Sequence, residues 1–371
     1  MMMMKTVTTM MMKSALLAAV AAITCGAVSA QTLSGGKEYQ SQIPAFKDLQ
    51  RWDPNYRAQR TPDGKPDLQG VWSDASQTQM SRGSGMGGAI KVDTLVIPDE
   101  KIQQLLSDNY YTKQYKIQGK QSDLKDNLLG DKDANRGYNA FWIDPGAEYG
   151  RVNGEWRSSW ITTPTNGQMP MTPEGRKARG DRVGLSKSVK NTGPEVRTIG
   201  DRCLISYAGQ AGPPMVNGMY NNHHQIVQTP THIMINTEMN HDSRIIRIGA
   251  DPKPNAIKQW FGDSLGHWEG ETLVVVTRNL HPIQARGGSV PLSEKGVVTE
   301  RFTRKSPVEV FYEYTVDDPV YYTQVWKGEM PLRLSTEHIY EYACHEGNYA
   351  LPGILRGDAM GVDTAIEKEG E

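Results

Sequence analysis

From Glu155 onward the chain consists largely of short runs of β-branched and aromatic residues, cut at short intervals by turn residues. Polar and apolar positions alternate strictly in Ile233-Met234-Ile235-Asn236-Thr237-Glu238, and again in Glu309-Val310-Phe311-Tyr312-Glu313-Tyr314-Thr315. Successive side chains of a strand point to opposite faces, so this pattern specifies strands buried on one face only. The same reading predicts strands at Arg157–Thr163, Gln225–Gln228, Ile233–Glu238, Ser243–Ile248, Thr272–Thr277, Val297–Arg304, Val308–Val316, Tyr321–Lys327 and Glu337–Ala343. Thr229-Pro230-Thr231 and Lys305-Ser306-Pro307 read as tight hairpin connections. With no βαβ alternation, the expected fold is mainly β: an antiparallel β-barrel or sandwich, lipocalin-like or calycin-like, with one or two peripheral helices. A barrel is preferred, because closure removes the exposed edges that a long meander leaves.

The rest of the chain is less regular. Pro98, then Asp99 and Glu100, start a helix predicted over 98–117, with Ile102, Leu105, Leu106 and Tyr110 on one face. A second, short helix is expected from Pro173. Lys5 and Lys13 precede an apolar run from Ala15 to Val28 and a small-residue exit, Val28-Ser29-Ala30. That order reads as a signal peptide over 1–30. Residues 31–66 read as an extended arm, 67–358 as a single β-rich domain with a helical insertion near 98–117, and 359–371 as a polar tail. The expected location is periplasmic or secreted, with no membrane span once the signal is removed.

A net charge of −1, with acidic and basic residues interspersed, argues against a nucleic-acid surface. Of the three cysteines, signal removal leaves Cys203 and Cys344. In an oxidising compartment two thiols tend to pair, so a disulfide is expected; two buried free thiols are the alternative.

Several long segments carry a resemblance. Pro62-Asp63-Gly64-Lys65-Pro66-Asp67-Leu68-Gln69-Gly70-Val71-Trp72 opens it, and Glu238-Met239-Asn240-His241-Asp242-Ser243-Arg244 continues it. Gly262-Asp263-Ser264-Leu265-Gly266-His267-Trp268-Glu269-Gly270-Glu271-Thr272-Leu273-Val274-Val275 follows, then Asp317-Asp318-Pro319 and Cys344-His345-Glu346-Gly347-Asn348-Tyr349. The chain resembles, over most of its length after the signal, a large family of exported bacterial proteins, most of them uncharacterised. The resemblance implies export, often from bacteria that degrade steroids, terpenes or aromatics, and it implies no particular chemistry.

Four constellations bear on chemistry. Gly262-Asp263-Ser264-Leu265-Gly266 matches the G-x-S-x-G elbow of serine hydrolases, but no helix is predicted after the Ser, and a Gly-rich turn feeding a strand is the plainer reading. Glu238, His241 and Arg244 lie at the turn between two predicted strands. A Glu–His pair can move protons and an Arg can hold an oxyanion, so these three are the catalytic candidates; a charged hairpin tip is the alternative. Binding is assigned to Arg202, His345, Glu346 and Asn348, beside the expected disulfide, with satisfaction of backbone groups around the bridge as the alternative, and to Trp268 and Tyr314 among the β-region aromatics, with ordinary core as the alternative. His223 and His224 are adjacent and would point to opposite faces of a strand; with no H-E-x-x-H or C-x-x-C spacing, no metal site is expected.

Nor does any nucleotide or flavin motif point to a cofactor. The expected partner is a small hydrophobic molecule. Three functions stay open: an exported lyase, hydratase or isomerase using acid/base residues in a barrel pocket; a non-catalytic lipocalin-like carrier; and a structural or partner-binding envelope protein. The oligomeric state is left undecided.

Overall fold

The structure, a computed structural model, describes residues 52–83, 92–108, 146–188, 193–206, 209–283 and 289–359. The expected signal segment, residues 31–51 of the arm, the helix beyond 108 and the tail beyond 359 lie outside the described residues.

In chain order the elements are β1 (Gly70–Ser73), β2 (Val96–Ile97), α1 (Asp99–Asp108), β3 (Arg151–Val152), β4 (Glu155–Arg157), β5 (Ile161–Thr163) and α2 (Pro173–Ser188). Then come β6 (His223–Gln228), β7 (His232–Thr237), β8 (Asp242–Ile248), β9 (Asp263–Glu269) and β10 (Thr272–Arg278). Last are β11 (Val297–Ser306), β12 (Glu309–Asp317), β13 (Trp326–Leu334) and α3 (Ala350–Ala359). Neighbours run β1-β6-β7-β8-β9-β10-β11-β12-β13, and β13 pairs back onto β1 through Trp72↔Leu334. Nine strands therefore close into a barrel. Every neighbouring pair is antiparallel except β8–β9, which is parallel and needs the crossing segment 249–262. β5 pairs with the upper part of β13, and β2, β4 and β3 form a small separate sheet against which Ile102 of α1 packs through Ile97 and Tyr149.

Alternation places the inward rows. On β12, Val310, Tyr312, Tyr314 and Val316 point in; on β7, Ile233, Ile235 and Thr237; on β8, Asp242, Arg244 and Ile246. Side chains lining an empty ligand chamber would keep accessible surface. Here Trp72, Ile246, Val275, Phe302, Tyr312 and Trp326 are all 0% exposed. Ring centroids of Phe302 and Tyr312 lie 4.8 Å apart, and those of Tyr314 and Trp326 5.8 Å. The barrel interior at these positions is a packed core of buried apolar side chains.

The opening motif belongs to this core. Gly64, at φ +77°, closes the turn after Thr61, and Trp72 donates its indole N–H to the Leu68 carbonyl at 2.9 Å inside the barrel. Arg304 lies over the outer part of that ring, 5.1 Å from its centroid. At the start of α2, the Thr172 hydroxyl accepts the Gly175 N–H at 3.0 Å, satisfying one of the free donors of the first turn.

Several sequence expectations shift. The strand read at Arg157–Thr163 divides into β4 and β5, which belong to different sheets, and the helix from Pro173 is not short but runs 16 residues. β9 replaces the Gly-rich turn read at 262–266. The last barrel strand begins at Trp326 rather than Tyr321. Glu337–Ala343 forms no strand, although Tyr340 and Tyr342 give it a β-like pattern.

Candidate functional site

Strand directions bring Ser73, His223, Thr237, Asp242, Asp263, Arg278, Val297, Asp317 and Trp326 to one end of the barrel. At this end the inward row changes chemistry. His224, Thr237 and Asp242 stand side by side on β6, β7 and β8, where the level below carries Ile226, Ile235 and Arg244. His224 Nδ1 lies 3.0 Å from Thr237 Oγ1, and its Nε2 lies 3.1 Å from an Asp74 oxygen, with both side chains fully buried.

His223 precedes His224 and therefore faces the other way. Its Nδ1 is 3.0 Å from Glu238 Oε2, and Asn221 donates to Glu238 Oε1 at 3.0 Å. A carboxylate only accepts, so this pair sets the His223 proton on Nδ1.

Asp242 is 5% exposed. Its carboxylate accepts the Ser206 backbone N–H at 2.7 Å and the Asn240 amide at 2.8 Å. Burial raises its pKa from 3.8 to about 6; the two donors and nearby His241 offset part of that rise. The half-buried Tyr342 hydroxyl is held above its ordinary pKa, first by burial and then by Tyr220 and Asp242, so it stays a donor at neutral pH.

His241 is exposed on a tight turn, Met239–His241, where Asn240 and His241 both take left-handed backbone angles, φ +60° and +46°. Asn and His are among the non-glycine residues found most often in that region, and each still carries a local cost there. His241 Nδ1 lies 2.9 Å from the Tyr342 carbonyl. A carbonyl cannot donate, so Nδ1 carries the hydrogen, and in the neutral ring Nε2 is the basic nitrogen.

The three catalytic candidates do not converge. Glu238 meets His223, His241 meets the Tyr342 carbonyl, and Arg244 points into the barrel. There Arg244 binds Glu300 through two hydrogen bonds, 2.7 and 2.9 Å, while the Tyr312 hydroxyl donates to Glu300 at 2.7 Å and accepts the Met215 N–H at 2.8 Å. Burial and then the Glu300 carboxylate push Tyr312 well above its usual pKa. Arg244 is thus engaged in a fully enclosed network, not in the polar end.

The binding candidates also separate. Cys203 and Cys344 are disulfide-bonded, with Cα atoms 5.8 Å apart. Their separation of 141 residues corresponds to about 5 kcal/mol on the chain-entropy account. Asn348 donates to the Asp201 carbonyl at 2.7 Å; Arg202 is half-buried, and His345 and Glu346 are exposed. Tyr314 is inside the core, its hydroxyl 3.0 Å from Met80 Sδ, and Trp268 sits near the opposite end of the barrel on β9. Ser264 is a buried strand residue whose hydroxyl lies 2.8 Å from that of Thr277 on β10, and the next element after β9 is another strand, so the elbow geometry is not formed. Among the described residues no three His, Cys, Asp or Glu side chains gather as a metal-binding group, and no helix is long and apolar enough to cross a membrane.

Sequence reasoning missed Asp242, Asp74 and Tyr342. A signal for Asp242 was present: it stands two positions before Arg244 and four before Ile246 on a strand whose even-numbered residues point in. Comparison with known proteins finds no matching family model, no matching curated protein and no matching solved structure.

Proposed function

We propose that the protein is an exported enzyme that meets a small hydrophobic molecule at the polar end of its barrel and moves a proton there, as a lyase, hydratase or isomerase does. One observation carries this reading: Asp242, almost wholly buried, is held near pKa 6 next to an exposed imidazole whose tautomer leaves Nε2 basic. Acid/base groups are most effective when they titrate near the working pH. In this reading Asp242 gives or takes the proton and His241 serves as its partner. Glu238 orients His223, and the rings of Tyr220 and Tyr342 offer the apolar contact. Export is supported by the disulfide and by the signal-like start.

The packed interior favours a second reading, an envelope protein with no small-molecule site. It also weighs against a carrier that would hold its ligand in the barrel lumen.

One experiment separates the two readings. Purified oxidised protein is incubated in deuterated buffer with a metabolite extract of the producing cells and followed by mass spectrometry. The enzyme reading expects at least one apolar compound to change mass or take up deuterium, and Asp242→Asn and His241→Gln each to slow this about 100-fold or more. No compound altered by the wild-type protein would leave the envelope reading standing.

A further inference from the structure

We infer that segment 340–349 is a working part of this polar end, delivered to it by the Cys203–Cys344 bond, with Tyr342 as the residue it contributes. The inference rests on the enzyme reading above and deepens it: the site would be assembled only in oxidised protein.

The argument begins with what holds the segment. It adds no strand to the barrel. From Arg333 to Gly357 no residue is buried, so this stretch brings no apolar core of its own to dock with. Its polar contacts gather around the disulfide: Asn348 on the Asp201 carbonyl, and the Tyr342 carbonyl on His241 Nδ1. Cys344 is two residues from Tyr342, and Cys203 is three residues from Ser206, whose N–H binds the Asp242 carboxylate. The bond therefore ties together both chain segments that reach Asp242 from outside its own strand. The groups that act on Asp242 are then Asn240 and His241 from the turn and Ser206 from the Cys203 side, and the Asp242 charge is felt in turn by Tyr342 on the Cys344 side.

The chemistry is simple. Closing the bond joins two Sγ atoms and releases two protons and two electrons to a disulfide oxidant of the export compartment; a phosphine reductant reverses it, giving two thiols and a phosphine oxide with oxygen from water. Once opened, the segment keeps the part-buried Asn348–Asp201 hydrogen bond and the exposed one between His241 and the Tyr342 carbonyl. Water then reaches Asp242, and Tyr342 is no longer fastened near it.

The test reads Asp242 directly, without needing a substrate. Protein carrying carboxyl-¹³C aspartate is titrated by NMR, with Asp242 assigned from the Asp242→Asn spectrum. Three samples are compared: oxidised, reduced with tris(2-carboxyethyl)phosphine, and oxidised Tyr342→Ala, in which the bond stays closed. The expected result is a midpoint near 6 in the oxidised protein, a fall of about one unit or more toward the ordinary carboxylate range on reduction, and a smaller fall in Tyr342→Ala. Should reduction disturb the barrel, seen in the methyl spectrum, Tyr342→Ala decides. Identical midpoints near 6 in the oxidised protein and in the decisive sample overturn the inference and leave the enzyme reading intact. A midpoint near 4 in the oxidised protein removes the observation on which the enzyme reading itself stands.

Discussion

Asp242→Asn isolates the cost of keeping a carboxylate at this position. In the folded chain the group titrates near 6 and its ordinary value is 3.8, so the native state binds the proton more tightly than the unfolded state does. The contribution of such a group to stability is fully present below pH 3.8 and is lost as pH rises through about 6. At about 1.4 kcal/mol per pKa unit, the loss amounts to about 3 kcal/mol. Asparagine carries no charge at any pH and so escapes it. Its amide oxygen can still accept the Ser206 N–H, whereas its NH₂ group would face the Asn240 amide until Asn240 turns over. That mismatch costs about 0.5–1.5 kcal/mol, but it does so equally at every pH. The informative quantity is therefore the change in the difference between variant and wild type. Urea unfolding of oxidised protein at pH 3.5, 5 and 7.5, with m unchanged, should show the variant gaining on wild type by about 2–3 kcal/mol from the lowest pH to the highest. A difference that stays flat across this range, or one that turns against the variant as pH rises, would refute the account of Asp242.

Two further perturbations test the packed barrel. Arg244→Met or Glu300→Leu alone should destabilise by about 3–5 kcal/mol, because each strands a buried charge, while the double variant should recover much of the loss; equal or additive damage in the double variant, measured by denaturant unfolding, would contradict a closed ion pair. Gly328→Ala would place a Cβ 2.2 Å from the Tyr314 hydroxyl oxygen, within the core, and should cost about 1–3 kcal/mol. Combining it with Tyr314→Phe should relieve part of that cost in a thermal melt.

The strands that could be read from sequence are those whose two faces meet different surroundings throughout. β7 alternates because one face is core and the other is not, β12 does so from Tyr312 onward, and both lie within a residue or two of their expected bounds. β13 was misplaced because Gly328 and Pro331 interrupt the pattern. Proline removes a ladder donor and is normally confined to edges. Here it is tolerated because β5 pairs with β13 at Lys327 and Gly328, and β1 at Arg333 and Leu334, leaving Pro331 in the gap between them. That gap is a property of nine strands in space and leaves no trace in one. The parallel β8–β9 pair is hidden for the same reason. Glu238, His241 and Arg244 are close along the chain, but their partners come respectively from β6, from beyond residue 340 and from β11. Proximity along the chain could not assign these pairs.

The barrel's own stability gives no reason for Asp242. Arg244 and Glu300 neutralise each other, and the Tyr312 hydroxyl completes their hydrogen bonding, so that network can be accounted for by folding alone. Asp242 has only neutral donors on its oxygens, at 2.7 and 2.8 Å, and the nearest cationic candidate, His241, is the weakest of the influences on it. An amide would accept the same Ser206 N–H without the charge. Next to this costly carboxylate stands a histidine held at φ +46°, a second local cost. Two unfavourable choices at neighbouring positions fit the proposed acid/base site better than they fit a scaffold.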